Sequence, residues 1–160
     1  RRDKMKTRND LNPNDILVNV QIILQQIQDF PQILNKLSNN DQNKFYDLLG
    51  QLQQQFSSHK DKPEELLSAA NTFLTEIENK KEFRQVFLSD KITEVELQSL
   101  QEDRQRSINQ YSLQKITDEL DLRPMDPILN SITTIFEFRL SQEEHKEKMN
   151  GRQDEEPTDH

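Results

Sequence analysis

Only two glycines, Gly50 and Gly151, occur in the 160 residues of this chain. Sheets and turn-rich loops depend on residues that accept a positive φ, and glycine is their usual supplier. A chain this poor in glycine has little scope for hairpins and none for a glycine-rich phosphate cradle. That leaves helices joined by short connectors. The six prolines agree, because they fall where helices should start or stop.

Folding itself is not guaranteed by composition. Hydrophobic residues make up 31% of the chain and mean hydropathy is −0.99, values that border on those of unfolded proteins. What decides for a core is periodicity. Asn12-Pro13-Asn14-Asp15 reads as cap, first helical position and an acid at the positive dipole end. The helix it opens carries Ile16, Leu17, Val18, Val20, Ile22, Ile23, Leu24 and Ile27, apolar on more than one face, which predicts a central helix packed by neighbours on several sides. Phe30-Pro31 breaks it, and a short helix with Ile33, Leu34 and Leu37 follows. Ser38 to Asp41 caps a third helix with the stripe Phe45, Leu48, Leu49, Leu52 and Phe56. Pro63 opens a fourth with Leu66, Leu67, Ala70, Phe73, Leu74 and Ile77, and a short fifth holds Phe83, Val86, Phe87 and Leu88.

Thr93-Glu94-Val95-Glu96 is a capping-box pattern. Beyond Leu100 the polar run Gln101 to Arg106 interrupts the stripe, and Ser107 with Gln110 offers a second box. One long bent helix or two shorter ones both fit the stretch to Leu122. Arg123-Pro124 stops it, and Asp126-Pro127 restarts a helix with Ile128, Leu129, Ile132, Ile135, Phe136 and Leu140, charged from Ser141 to Lys148. Gly151 is expected to end that helix. The prediction is an all-α fold: one multi-helix domain of about seven or eight helices around a single core at 12–150, preceded by a basic flexible arm (1–11) and followed by a disordered acidic tail (151–160). No repeat of solenoid period is present.

Several chemistries lose support at once. Net charge is −8 with pI near 4.9, which disfavours phosphate-backbone binding and hence nucleic acid. Cysteine is absent, so disulfides, Cys-based zinc sites and thiol nucleophiles are excluded, and a cytoplasmic or other intracellular setting is expected. The histidines are His59, His145 and His160, none within i, i+4 of another, so no zinc-protease motif exists. Asn39, Asp41 and Asn43 mimic the first ligands of a calcium loop, but Lys44 and Gly50 stand where that loop needs Gly and Glu. No catalytic motif is found. The expectation is a non-enzyme without metal or cofactor.

The 18 Gln and 13 Asn are read as helix surface, since glutamine is a good helix former. Within that polar surface, a few residues are candidate contacts. Phe136 and Phe138 lie two apart, about 200° around a helix, so one core face cannot bury both; either the helix sits between two layers or one ring is offered to a partner. Tyr46 lies off the Phe45–Leu49–Leu52 stripe beside amides, where an amphipathic ring is either a partly buried residue at the core edge or part of an interface. Arg104 and Arg106, with Arg84 and Lys115, form the internal basic cluster, read as local ion pairs with Glu102 and Asp103 or as a dock for an acidic or phosphorylated partner. Gly50 sits inside the third helix, where Ala would be favoured by roughly 1 kcal/mol. Close approach of a crossing helix is the expected reason.

One resemblance concerns the C-terminal stretch Glu143-Glu144-His145-Lys146-Glu147 and the short polar end after it. Glu143, Glu144 and Glu147 resemble the glutamate-block signal of bacterial type IVB secretion effectors, an acidic cluster shortly before the C-terminus that the translocation machinery reads. The likeness covers about a dozen residues and implies delivery into a host cell and action on a host protein. It implies nothing about the activity of the helical region.

The leading expectation is a non-enzymatic protein-protein interaction or regulatory module that binds a protein partner through a helix face. Two alternatives come from other classes: the helical region of a type IVB effector, and a membrane-associating regulatory domain using Arg1, Arg2, Lys4, Lys6 and Arg8 on anionic lipid. A homodimer through the last helix is a further arrangement compatible with Phe136, Phe138 and Leu140.

Overall fold

The computed structural model describes residues 12–88, 91–114 and 120–155, with side chains of the last helix described through Lys148. Within them lie six α-helices and one 3-10 helix, and no strand: α1 (Pro13–Asp29), η1 (Pro31–Lys36), α2 (Asn39–Ser58), α3 (Pro63–Asn79), α4 (Lys81–Phe87), α5 (Glu94–Gln114) and α6 (Met125–Glu155). The fold is all-α, around one core.

The starts follow from local chemistry. Asn12 Oδ1 accepts the Asn14 amide at 2.9 Å, and Pro13 fills a position whose N–H would be unsatisfied anyway. Ser38 Oγ accepts from the Asp41 amide at 3.1 Å. The capping box forms in full: Thr93 N–H donates to Glu96 Oε1 at 2.9 Å and Glu96 N–H donates to Thr93 Oγ1 at 3.1 Å. The Ser107–Gln110 pair starts nothing. α5 runs unbroken across it, with Ser107 buried.

α3 occupies the centre, touching α1, α2, α4 and α5. An aromatic cluster ties three of these together: Phe45 of α2 lies 6.1 Å from Phe73 of α3 and 5.0 Å from Phe87 of α4, ring centre to ring centre. Such pairs add about 0.5–1.5 kcal/mol each beyond the area they bury. α1 also contacts several elements (α3, α5, α6 and η1) but is not enclosed, since Val18 and Ile22 remain 37% and 58% exposed on its outer face.

α6 runs parallel to α1. Asn14 Oδ1 accepts from the Asp121 amide just before α6, and Ser131 donates to Gln28 at 2.7 Å near the other end of α1. Past that point α6 crosses α2, and from Ser141 to Lys148 every side chain is exposed.

Two glycine expectations are overturned. Gly151 does not end the helix, which continues to Glu155. A single helical glycine costs only about 1 kcal/mol, too little to stop a helix that its flanks favour. At Gly50 no helix crosses: an added Cβ would meet nothing within 4 Å. The expected basic arm at 1–11 and the last five residues of the expected tail lie outside the described residues.

Candidate functional site

α2 and α3 form an antiparallel helical hairpin joined by four residues, His59 to Lys62. Their inner stripes (Phe45, Leu49, Leu52 and Phe56; Leu66, Leu67, Phe73 and Ile77) enter the core. Their outer edges do not close on each other. On α3 the edge residues Ser68, Ala69 and Thr72 are small, at i, i+1 and i+4 on one face. Opposite them α2 presents Gln51, Gln54 and Gln55, which stand up as a rim. The result is an open groove of about 420 Å³. Its floor is Leu48, Leu52, Ala69 and Phe73; its walls are the three amides, the two hydroxyls and the carboxylate of Glu65. An apolar floor with a few convergent polar groups is the usual make-up of a binding site, and the volume falls in the usual range. None of the three rim glutamine side chains bonds to another described residue, a condition they share with glutamines elsewhere such as Gln53 and Gln110. The rim amides are therefore open to a visiting donor or acceptor.

The hairpin end of the groove is tied by His59. Its Nδ1 lies 3.0 Å from the Gln55 carbonyl oxygen on α2 and its Nε2 lies 2.8 Å from Glu65 Oε1 on α3. Lys62 Nζ stands 3.9 Å from the other Glu65 oxygen.

A second polar centre lies between α3 and α5, and it corrects the reading of Arg104. This residue is no docking cation: it is 1% exposed. Its NH1 and NH2 donate to the two Glu78 carboxylate oxygens at 2.7 and 2.6 Å, its Nε to Asn71 Oδ1 at 2.7 Å, and its NH2 also to Thr75 at 3.3 Å. Gln101 adds a donor to Glu78 at 3.1 Å. The reason is positional. The inward stripe of α5 passes through Leu97, Gln101, Arg104, Ile108 and Tyr111, and α3 meets Arg104 with Asn71, Thr75 and Glu78 at i, i+4 and i+7. Every buried side-chain polar atom among the described residues has a partner, so this centre is a satisfied structural network. Arg106 is exposed and pairs with Asp103 at 2.7 Å, the local ion pair expected. Arg84 is likewise engaged, to the Glu78 carbonyl at 2.9 Å and to Glu94 at 3.3 Å, while Lys115 lies outside the described residues.

The aromatic candidates turn inward. Tyr46 is buried rather than displayed: its ring lies 6.0 Å from Phe136, and the Arg139 guanidinium stacks 4.1 Å from its centre. Burial pushes the Tyr46 phenol above its ordinary 10.0; Arg139 pulls it down in part and Glu143 pushes it up. Phe136 and Phe138 are both half-covered because α6 lies against two elements. Phe136 packs on the α2 side at Tyr46, and Phe138 sits by Ile27, Pro31 and Leu34. α6 thus lies between two layers, with one ring turned to each. Glu143, Glu144 and Glu147 are exposed on the projecting part of α6, with Glu143 3.0 Å from Arg139 Nε. The calcium-like residues Asn39, Asp41 and Asn43 form the first turns of α2, where Asp41 pairs with Lys80 at 3.3 Å. No group of three potential metal-ligating side chains exists among the described residues. Nor is any described helix long and apolar enough to cross a membrane.

Sequence reading thus missed the groove. Its signal was present as glutamines at 51, 54 and 55 on one helix and small residues at 68, 69 and 72 on the next, but pairing the two edges needs the hairpin geometry. The chain matches no protein-family model, no curated protein and no solved structure with which it was compared.

Proposed function

We propose that the chain is a non-enzymatic helical protein-binding module whose docking surface is the groove between α2 and α3. An apolar side chain of a partner segment enters over Leu48, Leu52, Ala69 and Phe73, while its main-chain and polar groups bond to Gln51, Gln54, Gln55, Ser68 and Thr72. The observation that carries this reading is the combination of an open apolar floor with three amides that have no partner within the described residues. Hot spots of protein interfaces are anchors seated in such pockets and ringed by groups that exclude water. A preformed groove on two packed helices also limits the ordering penalty of binding.

The surface is charge-poor at its centre, because Glu65 is the one charged residue that lines it, and it is already engaged by His59. That favours a partner segment recognised by apolar shape and amide bonding over one recognised by charge.

The test is photo-crosslinking from inside cells that express the chain. A photoreactive residue is placed at Gln51, at Ser68 or, as control, at exposed Gln110 on α5. The two groove positions should capture the same partner segment, and the control should not. Capture from Gln110 as strong as from the groove, or none from either wall, refutes the assignment.

A further inference from the structure

We propose that α5 is a strap that lifts from the fold as a unit, ahead of global unfolding, and uncovers the Asn71–Thr75–Glu78 face of α3. Its hold on the core is thin. α1 and α3, of 17 residues each, bury six apolar side chains apiece, whereas the 21 residues of α5 bury three: Leu97, Ile108 and Tyr111. Of these, Ile108 and Tyr111 belong to the contiguous core cluster and Leu97 lies outside it. Two further apolar residues of the helix, Val95 and Leu113, are 77% and 84% exposed. Burial of an apolar face is what chiefly fixes a helix to its neighbours, so α5 is bound more weakly than α1 or α3.

Much of what joins α5 to α3 is polar instead. Arg104 bonds to Glu78, Asn71 and Thr75, and Gln101 bonds to Glu78 and, at 2.9 Å, to Asn79. Such a network strongly resists removal of one member, because the other stays buried and unpaired. It resists lifting far less. When α5 leaves, Arg104 and Glu78 enter water together, and the hydration they regain offsets the bonds they lose. The network therefore sets the position to which α5 returns more than it holds α5 there. The bonds that support the helix itself travel with it: the Thr93–Glu96 box and the pairs Gln98–Glu102, Asp103–Arg106 and Gln105–Asn109 all lie within residues 93–109. Elements with few buried apolar contacts open below the global stability of a domain, as cooperative units. What this unit uncovers on α3 is a carboxylate, an amide and a hydroxyl spaced to receive one guanidinium.

Native-state hydrogen exchange of the wild type reads the lifting directly, with urea added in steps below the unfolding midpoint. Amides from Leu97 to Tyr111 should exchange through one common opening, at least about tenfold less protected than those from Leu66 to Ile77 of α3, and with a weaker urea dependence. The chain has no cysteine, which provides a second readout. Ser107→Cys on α5 and Ala70→Cys on α3 each place the single thiol of the molecule at a buried position. Position 107 should react with a thiol reagent at least about tenfold faster than position 70, while circular dichroism shows both chains folded. Amides of α5 that share the slowest class and the urea dependence of α3 overturn the strap, as does equal labelling of the two positions in folded chains. Neither readout involves the groove or a partner, so the strap and the docking assignment can each fail without the other.

Discussion

Replacing Arg104 by methionine should be among the most damaging single changes available in this fold. The substitution removes two charge-assisted bonds to Glu78, at 2.7 and 2.6 Å, together with the bonds to Asn71 and Thr75. Glu78 is itself only 6% exposed at its side chain, and it would keep only Gln101 as a side-chain donor. A buried pair broken from one side costs about 3–5 kcal/mol, because the remaining charge stays out of water without compensation. Domains of this kind have total stabilities of about 5–15 kcal/mol, so roughly a fifth or more of the margin is at stake. For a chain of this length the melting point should fall by roughly 10 °C. The assay is urea denaturation of the wild type, Arg104→Met, Glu78→Leu and the double variant, with thermal melts beside it. The double variant should lose less than the sum of the singles, since two apolar side chains of suitable volume restore packing and leave no unpaired charge. A cost below about 1 kcal/mol for Arg104→Met, or strict additivity in the cycle, would refute the account of this network.

Further expectations concern residues whose surroundings contradict or refine the sequence reading. Gly50→Ala should raise stability by about 0.5–1 kcal/mol in the same denaturation assay, because the new Cβ meets nothing and the helix gains a better former; destabilisation would mean an unrecognised close contact. Tyr46 should titrate above the ordinary tyrosine range in an NMR titration, and Arg139→Gln should move it higher still, because Arg139 opposes the effect of burial. Since the fold favours the neutral phenol, its contribution is complete below about pH 10 and is lost as pH rises through the raised value. Phe138→Ala should cost about 1–2 kcal/mol of stability, less than the 3–5 of a fully buried ring, and should leave capture at the groove unchanged.

Helix positions were legible because their signals are local. Asn12-Pro13, Ser38, Pro63 and the Thr93–Glu96 box each act within one turn, and each lies where a helix starts in the structure. The inward stripes of α2 and α3 were legible for the same reason. Arg104 was misread because a charged residue amid Glu102, Asp103 and Arg106 resembles a solvated face, although i, i+4 and i+7 from Leu97 point it inward. The balance there is set by α3, whose Asn71, Thr75 and Glu78 lie 26 to 33 positions away in the chain. Gly50 failed in the opposite sense: an intrinsic cost near 1 kcal/mol was taken to require a compensating contact, and a well-packed helix tolerates it without one. The groove depends on how far apart two helix edges stand. No single-helix pattern encodes that distance.

The most direct test of the groove as docking surface is to fill it. Ala69 lies half-buried on its floor, and Ala69→Trp occupies the space above Leu48 and Leu52 from the open side. With the photoreactive residue at Gln51, wild-type and filled chains are compared for partner capture, after circular dichroism and a thermal melt show both to be folded. The account predicts that capture falls by at least about tenfold, the loss of one anchor contact of roughly 1.4 kcal/mol or more. Undiminished capture by the folded Ala69→Trp chain would contradict it.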